Sequence, residues 1–229
     1  MRLAPALVDT YNKELEIARE PKLAVSEGWT SPTRHILVVV APSSDPGLED
    51  VVRAARDSAI RVLEGNGHRV SVLDLTGFDA ALSTDERRAY LTATPLIDPI
   101  TQRHADLVRS SDGLIVVYAS KMSTLPPVMK GWLDRTLVPG VSFVLNDAGH
   151  VQRGLTRLDD LVGIAVYGED WRTTKRHRDA GRRIILRNVR SCGRVGLRTT
   201  WLPFYEAHSA DEARVAEFVA RIERRMGKL

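Results

Sequence analysis

An α/β domain built on a parallel sheet is the fold class this sequence predicts, and three observations predict it. Short runs rich in Val, Ile and Leu alternate with longer segments of helical pattern. The runs are apolar at nearly every position, the mark of strands buried on both faces. Loops of Pro, Ser and Gly separate the two kinds of segment.

Each element follows in order. Residues 35–40 (HILVVV) are the first strand, and the loop APSSDPG opens a helix over 48–64 that Gly65 and Gly67 close. Residues 69–75 (RVSVLDL) are the second strand, and 99–111 a helix ending before Gly113. Residues 114–118 (LIVVY) are the third strand; ASKMSTLPP leads from it into a helix over 128–137. The segment GVSFVLNDAGHVQRGL reads as a hairpin turning at Asn-Asp-Ala-Gly. Residues 161–167 (LVGIAVY) are the fourth strand, 176–190 a helix, 196–202 the fifth strand and 210–226 the last helix. Ahead of this domain, residues 1–33 read as an extension. Leu3, Leu7, Tyr11 and Leu15 recur at helical spacing, and EGWTSPT reads as a linker to the domain over 34–229.

Composition narrows the function. With 43% hydrophobic and 27% charged residues in 229, the chain is neither a disordered tail nor a rod. Its one cysteine, Cys192, excludes an internal disulfide framework and a multi-cysteine zinc site. No uncharged apolar run approaches the ~20 residues of a membrane helix. The start MRLAPALVDT, broken by Pro5 and Asp9, does not read as a secretory signal, so a cytoplasmic protein without membrane insertion is expected. The net charge of +4 is uneven: residues 172–229 hold 15 basic against 6 acidic residues, and 1–171 hold 18 against 23. That basic segment suits an anion or is a solvated helix face. No aromatics interleave its arginines, so no nucleic-acid partner is expected.

In parallel sheets ligands bind beyond the carboxyl ends of strands, where strand order reverses. Three loops therefore hold the candidates. In the first, Ser43 and Ser44 sit at a helix N-terminus that suits a phosphate; alternatively Ser44 or Asp45 caps the helix. It lacks both the P-loop lysine and the GxGxxG fingerprint. In the second, after the third strand, Lys121 is either a grip for an anion or an exposed loop lysine. In the third, Glu169 and Asp170 are a general acid or base, or surface acids paired with nearby arginines. Tyr167 is a hydrogen-bonding group or a core tyrosine. No histidine–carboxylate spacing suggests a metal, and no GxSxG suggests a hydrolase.

The segments HILVVVAPSS, DPITQRHADLVRSSDGLIVVY, LPPVMKGWLDRTLVPGVSF and LVGIAVYG fall in the order of a known family. Over residues 34–205 the chain resembles the NAD(P)H quinone oxidoreductases of the flavodoxin-like superfamily. That group includes quinone reductases, drug-activity modulators and ancillary proteins of potassium-efflux systems. The resemblance implies a doubly wound five-stranded sheet of order 2-1-3-4-5 with helices on both faces. It implies a homodimer with FAD or FMN at the strand ends, and hydride passing from NAD(P)H as co-substrate to a quinone-like small molecule. The cofactor contacts it implies are Ser43, Ser44, Tyr118, Ala119, Ser120, Lys121, Met122, Tyr167 and Gly168. The catalytic candidates are Tyr167, Glu169, Lys121 and His177, the last resembling a histidine that assists hydride transfer in some relatives.

All three loops depart from the family pattern. Pro42 stands where the family has a histidine, and Gly47-Leu48 where it has Ser-Phe. Ala119-Ser120-Lys121-Met122 replaces a Pro-x-Trp-Trp/Phe stretch, and Gly168-Glu169 replaces Gly-Gly. Two other readings follow: a flavin-free relative reused as a biosynthetic enzyme with a small molecule in the vacated pocket, or a non-catalytic regulatory subunit.

Overall fold

A computed structural model describes residues 33–229 except 91, 93 and 147–149; the expected N-terminal helical extension lies outside the described residues. The elements are β1 (His35–Ala41), α1 (Pro46–Gly65), β2 (Arg69–Asp74), α2 (Thr84–Ala89), α3 (Pro99–Ser110), β3 (Gly113–Ala119) and α4 (Pro127–Thr136). Then follow β4 (Phe143–Leu145), β5 (Val151–Arg153), β6 (Asp160–Val166), α5 (Trp171–Arg176) and α6 (Ala180–Arg183). A π-helical stretch, Ile184–Val189, joins α6 to α7 (Arg190–Cys192), and β7 (Arg198–Phe204), a 3₁₀ turn (Ala207–Ser209) and α8 (Glu212–Met226) end the fold.

The main sheet has five parallel strands in the order β2-β1-β3-β6-β7. Counting only its own strands this is 2-1-3-4-5, the order the resemblance implies. Val38 of β1 lies between Val72 of β2 and Ile115 of β3, so the chain leaves β1 first to one side and then to the other. That reversal opens a crevice at the carboxyl ends of β1 and β3.

Every residue of β1, β3 and β6 is buried, which is why these runs are apolar without alternation. Ile36, Val38 and Val40 face α1 and α8, meeting Val52, Ala55 and Ile222. Leu37 and Val39 face the other side, where Ala105 of α3, Met129 and Trp132 of α4 and Ile185 of the π stretch close the second core. At the opposite end from the crevice, the buried Asp160 is gripped by Arg198, Arg34 at 2.8 Å and Arg225 at 3.3 Å. Burial opposes its charge, but the Arg198 and Arg34 guanidiniums prevail and hold its carboxyl below the usual range.

The Lys-Gly-Trp motif has a packing reason. A Cβ on Gly131 would come within 2.2 Å of the Ala80 carbonyl oxygen, so the β2–α2 loop rides directly on the α4 backbone. Trp132, fully buried, fills the core beneath.

Several boundaries differ from expectation. The fifth strand is Arg198–Phe204 rather than 196–202, because its pairing to β6 begins at Asp160 opposite Arg198. The helix expected over 176–190 is broken: Arg178 and Asp179 adopt left-handed backbone (φ 64° and 38°), so α5 ends and α6 restarts under an Asp179 cap. The short α2 was not anticipated, although Ser83 and Glu86 form a reciprocal capping box that the sequence displays. The hairpin is present as β4 paired antiparallel to β5; its tip lies outside the described residues.

Candidate functional site

A cleft of about 750 Å³ lies where the topology predicts, over the carboxyl ends of β1, β3 and β6. Pro42, Leu48, Ala119, Pro126, Val128 and the Tyr167 ring form its apolar walls, and Asp45, Lys121, Glu169 and His208 supply its acidic and basic side chains.

The β1–α1 loop is capped by its own acids. Asp45 is the α1 N-cap, accepting from the Gly47 and Leu48 amides at 3.1 and 3.4 Å. Glu49 reaches back to accept from the Ser43 amide at 2.7 Å, and the Ser43 hydroxyl accepts from the Asp45 amide at 3.1 Å. The cap expected of Ser44 or Asp45 is therefore Asp45.

The β3–α4 loop is a two-residue turn. Lys121 and Thr124 exchange amide hydrogen bonds of 3.1 and 3.0 Å, and Met122 and Ser123 between them both have positive φ (51° and 56°), as a type I′ turn requires. This geometry turns Met122 outward, 85% exposed, and buries Ser123. The Ser123 hydroxyl donates to Glu169 Oε2 at 2.7 Å and lies 3.1 Å from His177 Nδ1, while its carbonyl accepts from the Ala180 amide at 2.9 Å. One serine thus pins the second loop to the third and to the start of α6.

The β6–α5 loop is sewn to the end of β7: Tyr167 donates its amide to Phe204, and Glu206 donates to the Glu169 carbonyl. The Tyr167 hydroxyl donates to Asp179 Oδ2 at 2.9 Å and its ring stacks on Tyr205. Burial, then the neighbouring Tyr118 and Asp179, raise this phenol far above the ordinary tyrosine range. Asp170 caps α5 through Thr173, whose amide bond to it is the main cause of its lowered pKa; it is a cap rather than a partner of the arginines.

The structure brings Ser43, Ser44, Ala119, Ser120, Lys121, Tyr167, Gly168 and Glu169 together on the cleft. It does not bring Tyr118 or Met122 there. Tyr118 is fully buried under Gly181, its hydroxyl without a partner among the described residues, because β3 is a central strand. Met122 is carried outward by the turn, so the cofactor contacts implied for these two residues are not formed by the cleft walls. His177 stands behind Ser123 rather than on the wall.

His208, on the 3₁₀ turn after β7, was missed. Its imidazole lies 3.6 Å from Asp45 Oδ2 and covers Gly168, whose Cβ would come within 2.8 Å of Nε2. Nothing local marked it; only the β6–β7 pairing brings this turn to the cleft. Among the described residues no group of three or more His, Cys, Asp or Glu is placed to hold a metal ion, and no helix is long and apolar enough to cross a membrane.

The flat apolar walls and the volume fit the ring of a flavin. The α1 N-terminus is less accommodating to a flavin's phosphate, because carboxylates already accept from the Ser43, Gly47 and Leu48 amides.

Residues 34–227 match the family model described as "Flavodoxin-like fold". No curated protein matches the chain. Among solved structures, the NAD(P)H:quinone oxidoreductase from Methanothermobacter marburgensis is 17% identical with a TM-score of 0.63, covering 86% of this chain and 96% of that one. The azoreductase from Bacillus anthracis str. Sterne is 10% identical with a TM-score of 0.70, covering 85% and 100%. The FMN-dependent NADH-azoreductase from Bacillus anthracis str. Ames Ancestor, solved in complex with FMN, is 13% identical with a TM-score of 0.63, covering 86% and 99%. With a parallel sheet of order β2-β1-β3-β6-β7 and a family match over nearly all of its described length, this chain belongs to the flavodoxin-like fold family.

Proposed function

We propose that this chain is an NAD(P)H-dependent oxidoreductase of quinone-reductase type, acting on a quinone-like small molecule as a homodimer in the cytoplasm, with a flavin ring in the strand-end cleft. The observation that carries the reading is the cleft itself: apolar walls at the switch point, with the Glu169 carboxylate held by Ser123 at their edge. Family membership and neighbours named as quinone oxidoreductase and azoreductase support it. A bound flavin supplies the hydride-accepting and hydride-donating chemistry that side chains lack.

The chain's residues do the rest. Pro42, Ala119, Val128 and the Tyr167 ring exclude water from one side of the slot. Glu169 is the proton-handling group: Ser123 holds Oε2, and among the described residues Oε1 has no partner in the chain. His177, half-exposed behind Ser123, has Nδ1 3.8 Å from Glu169 Oε2 and backs the carboxylate from the side away from the wall. Lys121, without an ion-pair partner among the described residues, places an ammonium at the cleft to balance negative charge that develops on reduction. The Tyr167 hydroxyl, committed to Asp179, serves the architecture of the wall.

The test is consumption of NADH and NADPH with menadione, with and without added flavin. Flavin-dependent turnover that falls about ten-fold or more in Glu169→Gln is expected. No turnover with any flavin would overturn the reading and favour a flavin-free enzyme or a regulatory subunit.

A further inference from the structure

We propose that the strand-end cleft selects among flavins by charge and takes the uncharged riboflavin in preference to phosphorylated FMN or FAD. This rests on the reading of the cleft as a flavin-ring slot and names the ligand class within it.

A phosphate at the end of a strand is held by backbone amides, above all those that open the following helix. Here those amides are committed to acids of the same chain. Asp45 accepts from Gly47 and Leu48, and Glu49 accepts from Ser43 at 2.7 Å. Pro46, the first residue of α1, has no amide proton to offer. An incoming phosphate would meet two carboxylates where it needs donors, and displacing them would uncap α1.

The second loop gives no compensation. The Ser120 amide donates to Val166 at 2.7 Å, and the Lys121 and Thr124 amides serve the carbonyls of their own turn. The cleft's charged lining adds to the bias, since among the described residues Asp45 and Glu169 face a single ammonium, Lys121. His208 Nε2 lies 3.6 Å from the Asp45 carboxylate. The apolar walls, by contrast, are indifferent to charge and suit the flat ring that all three flavins share. Selection therefore falls on the arm, and the uncharged ribityl chain is the arm this cleft tolerates.

The experiment is a fluorescence-quenching titration of the intact protein with riboflavin and with FMN, in low and high salt. It is repeated on the double variant Asp45→Asn with Glu49→Gln, which removes both charges but keeps a capping side chain at each position. Riboflavin is expected to bind about ten-fold or more tightly than FMN in the unmodified protein. Salt should narrow that gap by screening the repulsion, and the double variant should close it by strengthening FMN relative to riboflavin. If FMN binds as tightly as riboflavin or more so, or if the gap persists in a folded double variant, charge selection is overturned while the ring slot stands. If neither flavin binds, the slot reading falls and this inference falls with it.

Discussion

Gly168 and His208 are in contact across the floor of the cleft: a Cβ on the glycine would come within 2.8 Å of the imidazole Nε2 and 2.9 Å of Cδ2. The histidine, about half exposed, thus covers the backbone at the end of β6 that a ligand would otherwise approach. Gly168→Ala displaces only the end of a half-exposed side chain, so its melting temperature should stay within ~2 °C of the unmodified protein. His208→Ala should open the floor and strengthen flavin binding. Calorimetry and a flavin titration check the two variants.

Gly131→Ala should behave in the opposite way. Its new Cβ would meet the Ala80 carbonyl at 2.2 Å and the Ala80 Cα at 2.6 Å, backbone atoms with no rotamer to yield. Overpacking of that kind costs about 1–3 kcal/mol. A melting temperature lowered by several degrees is expected, and one equal to that of Gly168→Ala would refute the packing argument.

Tyr167→Phe should separate architecture from chemistry. The lost hydroxyl bonds Asp179 at 2.9 Å, and a hydrogen bond to a charged group contributes about 1.5–3 kcal/mol. Denaturant unfolding should show that loss. Turnover should change little, because burial and the nearby Tyr118 and Asp179 keep the phenol protonated throughout the working pH range. A large fall in turnover with unchanged stability would make the hydroxyl a catalytic group.

Stability should fall on the acid side of pH 6.5. Burial lowers the pKa of His35, His68 and His104 below the ordinary value of 6.5, so each is neutral in the fold where the unfolded chain takes up a proton. Stabilisation from these groups is complete above 6.5 and is lost as pH falls through the folded values. Asp160, also lowered, adds a second arm: its contribution is present above the ordinary carboxylate value of 3.8 and disappears as pH falls through its folded pKa. His35 bonds Ser71 at 2.8 Å across β1 and β2, so His35→Gln should make the first arm shallower, leaving the His68 and His104 part, at some loss of overall stability. Melting curves from pH 8 to pH 3 (about ten half-unit steps) read both arms.

How much of this was legible in the sequence follows from what each feature depends on. The central strands were readable because burial on both faces leaves no polar alternation in HILVVV, LIVVY or LVGIAVY. Edge strand β7, which exposes Arg198 and Thr199, was displaced by two residues because its limits depend on pairing with β6 rather than on its own pattern. The break at Arg178–Asp179 was hidden because neither residue is a glycine or proline; left-handed backbone there depends on the Asp179 contacts with Tyr167 and Arg182. That Ser43, Lys121, Tyr167, Gly168 and Glu169 line the strand-end cleft was legible from their position after strands. The outward place of Met122 and the inward place of Ser123 were not legible, because a two-residue turn sends its two central residues opposite ways. His208 depended on long-range packing that no local motif displays.

The measurement that tests the account most directly is a visible-absorbance titration of the protein with riboflavin, alongside a variant whose slot is filled by Ala119→Trp. A saturable shift of the flavin bands at one flavin per chain is expected, absent from a folded Ala119→Trp protein. No shift in the unmodified protein, or the same shift in both, would contradict the strand-end cleft as the place where the ring is held.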